Sequence, residues 1–88
     1  MKLKGEFMLR TLGDDILAIP VGETALEFNG MILLNDVSKV IWECLTAECQ
    51  LSQIVTAVTD AFEVSQQEAQ ADILEYLGKL RDSGLLEE

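Results

Sequence analysis

The sequence predicts an α+β domain in which a small antiparallel sheet precedes three helices. Two observations lead to this prediction. Short apolar stretches separated by turn residues occupy the first third of the chain, and the rest shows apolar residues repeating at helical spacing. Because the 88 residues are 49% hydrophobic and include only one Pro, we expect residues 1–88 to fold as a single domain.

The first two predicted strands form a hairpin. Residues 7–12 alternate imperfectly between apolar and polar side chains, and residues 16–19 form an apolar run that ends at Pro20. Between them, Gly13-Asp14-Asp15 is a sequence typical of a turn. We therefore expect the two strands to pair antiparallel.

A second hairpin is predicted at Asn29-Gly30, the pair that best tolerates positive φ at both central positions of a type I′ turn. Residues 31–34 are expected to fold back on residues 25–28. Together with the first hairpin, this arrangement predicts a sheet of three or four strands.

Residues 31–34 are apolar at every position, although an edge strand normally buries only one face. Ile32 and Leu34 are expected to face the core, and Met31 and Leu33 to face outward. Another strand, a crossed-over helix or a second copy of the chain can cover the outward pair. An apolar edge that stays open also favours a homodimer through edge-strand pairing or strand swapping.

The first predicted helix begins after Asn35, a favourable N-cap, with Asp36 at its positive end. Trp42 lies well off the apolar stripe of this helix, so a second element is expected to cover that side. The stripe itself follows the i, i+3, i+4, i+7 spacing of a helix that packs on a core. Its members are Val37, Val40, Ile41, Cys44 and Leu45.

Two more helices follow. The second is predicted over about residues 51–62. The third begins at Ser65, which fits a capping box with Glu68, and extends to about Ser83, where Gly84 suits the left-handed position after the helix. The apolar arc of this last helix is wider than one packing contact requires, which indicates a groove beside it.

The charge of the chain restricts its partners. The net charge is −10 at pH 7; residues 1–10 sum to +2, which leaves −12 for the rest of the chain. A domain with so much negative charge repels phosphate. The charge therefore argues against nucleic acid and anionic membranes as partners and favours a neutral or basic partner.

No apolar run reaches the roughly 18 residues that cross a bilayer, and the first residues do not form a signal peptide. We therefore expect a cytoplasmic protein.

Catalytic and metal-binding patterns are missing from the sequence. It contains no His, and the spacing of Cys44 and Cys49 matches neither a redox pair nor zinc ligands. No Ser or Cys has a base at a recognisable spacing, and Asp14-Asp15 is better explained as part of a turn. The expectation is a protein that is not an enzyme and needs no cofactor or metal.

Several short motifs of the sequence belong together. They are Gly30-Met31, Leu34-Asn35-Asp36, Ile41-Trp42, Ile54-Val55, Phe62-Glu63-Val64, and Leu80 with Gly84-Leu85-Leu86. In this order they resemble the PqqD family, the small protein of pyrroloquinoline quinone biosynthesis. The resemblance covers about residues 7–88 and implies a winged helix-turn-helix-like fold. Relatives of PqqD are precursor-peptide recognition domains in pathways that make peptide natural products.

The resemblance implies a function that consists of binding alone. The leader segment of a precursor peptide adds as a strand to the free edge of the sheet and places side chains in the groove beside the last helix. The implied partners are that precursor peptide and a separate maturation enzyme, such as a radical SAM maturase. The residues expected to line the groove are Met31, Ile32, Leu33, Ile73, Tyr76, Leu77 and Leu80.

Two other functions are considered. A winged-helix protein that binds nucleic acid needs cations on its last helix, but residues 65–88 hold six acidic residues against Lys79 and Arg81. An acyl carrier protein is also small and acidic, and Asp36-Val37-Ser38 loosely matches its modification motif, but that fold has no place for the predicted strands.

Three acidic residues of the last helix have two interpretations: Glu68, Asp72 and Glu75. They either attract a basic leader peptide or form an ordinary solvated face of the helix.

Overall fold

The computed structural model describes residues 1–28 and 30–88, and within them the chain forms two antiparallel sheets and four helices. The α+β class predicted from the sequence is confirmed. In chain order the elements are β1 (Lys2–Leu3), β2 (Phe7–Leu12), β3 (Asp15–Pro20), α1 (Thr24–Glu27), β4 (Ile32–Leu34), α2 (Asp36–Cys44), α3 (Leu51–Ala61), α4 (Gln66–Asp82) and β5 (Leu86–Glu87).

The main sheet has the strand order β2-β3-β4. The predicted hairpin of β2 and β3 is confirmed, with Leu12 paired to Asp15 beside the turn and Phe7 paired to Pro20 at the open end. β4 lies on the other side of β3, where Leu33 pairs with Leu17. β3 is therefore the central strand of this sheet.

The prediction of a strand at residues 25–28 is wrong. These residues form the exposed single turn α1 and the extended residue that follows it. The hydroxyl of Thr24 accepts a hydrogen bond of 2.8 Å from the amide of Glu6, and this bond holds the turn against the start of β2. β4 consequently pairs with β3 instead of residues 25–28. The predicted turn at Asn29-Gly30 includes Asn29, which lies outside the described residues.

The two ends of the described chain are joined by the second sheet, which the sequence did not predict. Leu3 of β1 pairs with Leu86 of β5, and the amide of Leu3 also donates to the carbonyl of Leu45 at 2.9 Å. Both strands have only two residues. Strands this short carry no recognisable period in sequence, so only their tertiary contacts reveal them.

The predicted helix boundaries are confirmed to within a residue or two. The side chain of Asn35 accepts a bond of 2.8 Å from the amide of Ser38, and Ser65 caps α4 by accepting from the amide of Glu68 at 3.1 Å. At the end of α4, Gly84 has φ +75°. The amide of the next residue returns to the carbonyl of Leu80 at 2.8 Å, which closes the helix as a Schellman motif.

The core lies between the sheet and the helices, and Trp42 is its largest fully buried side chain. The ring of Phe7 meets the Trp42 ring edge-on, with 5.2 Å between the ring centroids. The predicted second covering of this helix is thus confirmed, and β2 provides it. No helix among the described residues is long and apolar enough to cross a membrane.

Candidate functional site

The outer edge of β4 is the first part of the candidate site. β4 is the last strand in the order β2-β3-β4, and within the described part of the chain no strand pairs with its other side. The main-chain N–H and C=O groups that point away from β3 can therefore pair with an added strand. Because β4 has only three residues, this edge is short.

The side chains of β4 alternate as the sequence predicted. Leu34 is buried with 4% of its surface exposed, and Ile32 is half-buried against the core. Leu33 is 66% exposed, and Met31, the residue before β4, is 62% exposed. An added strand would therefore have apolar side chains of β4 next to both of its faces.

The outward face of the main sheet is apolar well beyond β4. Residues paired directly across an antiparallel sheet point to the same face, and Leu33 is paired to Leu17, which is paired to Arg10. The neighbouring pair of Met8 and Ile19 lies on that face too. No element of the described part of the chain covers this face, and the apolar run of β3 is the sequence signal for it.

The predicted groove residues of α4 fall into two groups. Ile73, Leu77 and Leu80 are at most 4% exposed and belong to the core, so they hold α4 in place and do not form an open surface. Tyr76 is half-buried and does reach the surface. The stripe that marks a helix face as apolar is the same stripe that packs inward, and spacing alone does not separate the two uses.

A pocket of about 240 Å³, the α2–α4 pocket, opens where β4 ends. It lies between the first turns of α2 and the exposed side of α4, and the residue after β4 forms one of its walls. It is the second part of the candidate site. Its lining consists of Asn35, Val37, Ser38, Ile41, Asp72, Glu75, Tyr76 and Lys79.

Tyr76 lines this pocket with a half-buried side chain. Its hydroxyl oxygen is shielded from solvent and forms no hydrogen bond of normal geometry among the described residues, although the hydroxyl of Ser38 lies close to it. Burial raises the pKa of Tyr76, and the hydroxyl of Ser38 offsets this effect only in part. The phenol is therefore neutral at physiological pH, and its hydroxyl is not exposed to a ligand in the pocket.

Val37 and Lys79 were not among the predicted groove residues, and the sequence left two interpretations of Asp72 and Glu75 open. The relevant pattern is the spacing of positions 72, 75, 76 and 79 on one side of α4, next to the wide apolar arc. The partner surface on α2 depends on how the helices pack. Spacing within a single helix does not reveal it.

The two thiols lie elsewhere and show no sign of activation. Cys49 is buried and Cys44 is half-buried against the core. Burial is the main cause that raises the pKa of each thiol. Both are therefore mostly protonated at neutral pH and are poor nucleophiles.

Comparisons with known proteins agree with this architecture. A search of the curated proteins finds no match. Among solved structures, "TbiB1 in Complex with the TbiA(beta) Leader Peptide" superposes with a TM-score of 0.73 and 21% sequence identity, covering 99% of this chain and 95% of that chain. The family model described as coenzyme PQQ synthesis protein D (PqqD) matches residues 14–86. The chain therefore belongs to the PqqD family.

Proposed function

We propose that this protein is a non-catalytic adaptor that captures the leader segment of a ribosomally made precursor peptide. The leader adds as a strand to the outer edge of β4, and some of its side chains enter the α2–α4 pocket. The adaptor then presents the peptide to a modifying enzyme on a separate chain, such as a radical SAM maturase.

The observation that carries this proposal is the open edge of β4 beside an amphipathic pocket. Strand addition requires unpaired main-chain groups for affinity and adjacent side-chain sites for specificity, and both occur here at one place. TbiB1, whose fold matches over nearly the whole chain, was solved in complex with a leader peptide. Membership of the PqqD family points to the same kind of role.

The energetics require both parts of the site. A net backbone hydrogen bond contributes about 1 kcal/mol, so the three residues of β4 fall well short of the roughly 8 kcal/mol of a micromolar complex. Burial of about 200 Å² of apolar surface adds about 5 kcal/mol, against which the ordering of the peptide must be set. Side-chain burial must therefore contribute much of the affinity.

The two rival functions receive no structural support. Ser38, the residue an acyl carrier would need to present, is buried, and its hydroxyl bonds to Asn35. On α4, the exposed residues at positions 68, 72 and 75 are acidic and would repel a phosphate backbone. A peptide-binding role is compatible with both observations.

Binding to peptides encoded near the gene tests the proposed function. Peptides encoded by short open reading frames beside the gene would be synthesised with a fluorescent label. Each would be titrated with the protein while its fluorescence anisotropy is measured. We expect one of them to bind with a Kd of about 0.1–10 μM through its N-terminal half. If none of these peptides binds at 100 μM protein, and no maturase is encoded nearby, the adaptor function is wrong.

A further inference from the structure

We propose that the α2–α4 pocket is a specificity site for a cationic side chain, arginine or lysine, of the bound peptide. This inference rests on the proposed function and adds to it the chemical class of one leader residue. The pocket starts at Asn35, directly after the last residue of β4. A peptide strand beside β4 therefore passes its mouth, and a side chain on the helix-facing side can enter.

The charges at the rim favour a cation. Asp72 and Glu75 both line the pocket, and among the described residues of its lining Lys79 is the only cation. The Nζ atom of Lys79 lies 3.9 Å from Oε1 of Glu75. Both side chains are more than 70% exposed, so this ion pair is weak. Within residues 1–28 and 30–88, Asp72 forms no ion pair. One carboxylate at the rim is thus left without a charged partner.

The interior of the pocket suits the stem of a long cationic side chain. Val37, Ile41 and Tyr76 supply apolar and aromatic carbon against which the methylene groups of arginine or lysine can pack. The volume is below the roughly 300–1,000 Å³ of sites for whole small molecules, so one side chain is the appropriate occupant.

The positive end of α2, which also faces the pocket, does not reverse this preference. The amide of Ser38 is already taken by the side chain of Asn35, and the amide of Asn35 is taken by the hydroxyl of Ser38. Asp36 supplies a carboxylate in the first turn. The half-charge of the helix end is therefore compensated locally. The overall charge of −10 adds a long-range attraction for basic peptides.

Selection from a random peptide library tests this inference. A library of random twelve-residue peptides would be selected by mRNA display for binding to the wild-type protein. Separate selections would use the variants Asp72→Arg, Asp72→Asn and Glu63→Arg. Glu63 is exposed in the segment between α3 and α4 and does not line the pocket, so Glu63→Arg is the control for the change in total charge. Circular dichroism would verify that each variant is folded.

We expect the wild-type pool to share an extended motif with arginine or lysine at one position. Asp72→Asn should lose that preference, Asp72→Arg should replace it with Asp or Glu, and Glu63→Arg should keep it. A peptide chosen from the wild-type pool should bind Asp72→Arg at least tenfold more weakly and Glu63→Arg within twofold.

A shared motif with no cationic position would overturn the inference and leave the adaptor function intact. The inference is also overturned if Glu63→Arg changes the motif as much as Asp72→Arg does, because long-range charge alone would then explain it. If the wild-type protein enriches no motif at all, the proposed function itself fails.

Discussion

Leu33→Asp is expected to weaken leader binding about a hundredfold and to change the free energy of unfolding by less than about 1 kcal/mol. Leu33 is 66% exposed in the free protein, so the folded state loses little when a carboxylate replaces it. In the proposed complex the same side chain lies beside the added strand. There the variant loses apolar burial and must partly desolvate a charge, which together cost about 3 kcal/mol.

The effect on binding would be measured by anisotropy and the effect on stability by urea unfolding. Leu26→Asp is the matched control, because Leu26 is 88% exposed on α1, outside the candidate site, and should leave binding unchanged. Leu77→Asp should also abolish binding, but by unfolding the protein, since Leu77 is only 3% exposed. Normal binding by Leu33→Asp would show that the site has been placed wrongly.

Trp42→Ala is expected to reduce the free energy of unfolding by about 3–5 kcal/mol. Trp42 is 1% exposed, and its contact with Phe7 joins α2 to the main sheet. A domain of this size has a total stability of about 5–15 kcal/mol, so the substitution removes a large share of it. The loss of the aromatic pair adds to the cavity left in the core.

The measurement for this variant is urea unfolding followed by far-ultraviolet circular dichroism. Fluorescence is unsuitable because Trp42 is the only tryptophan in the chain. Leu26→Ala serves as the control and should change stability by less than about 0.5 kcal/mol. A loss below 1 kcal/mol for Trp42→Ala would contradict the assignment of Trp42 to the centre of the core.

The helices and the first hairpin could be predicted because their determinants are local. Asn35, Ser65 and Gly84 mark helix ends by side-chain or backbone chemistry that acts within a few residues. The strand at residues 25–28 was predicted wrongly because the prediction rested on the Asn29-Gly30 pair that follows, and so short a segment fits one helical turn as well as a strand. The bond between Thr24 and the amide of Glu6, 18 residues away, is a tertiary contact that the local pattern does not contain.

The candidate site was only partly predictable for a related reason. The exposure of Met31 and Leu33 follows from the period of a strand, and the sequence predicted it. The pocket instead depends on which side of α2 packs against α4. Although Val37 belongs to the apolar stripe of α2, the packing leaves it half-buried at the pocket. Pairwise helix packing is a property of the assembled fold.

Residue-resolved hydrogen exchange by NMR, with and without the bound leader, tests the central claim most directly. In the free protein, those amides of residues 31–34 that point away from β3 should exchange quickly, whereas the amide of Asn35 is held by the hydroxyl of Ser38. Peptide binding should slow them at least tenfold, while amides of β2 change little. The claim is contradicted if the outward amides of β4 are already protected in the free monomer, or if a bound peptide protects another part of the protein instead.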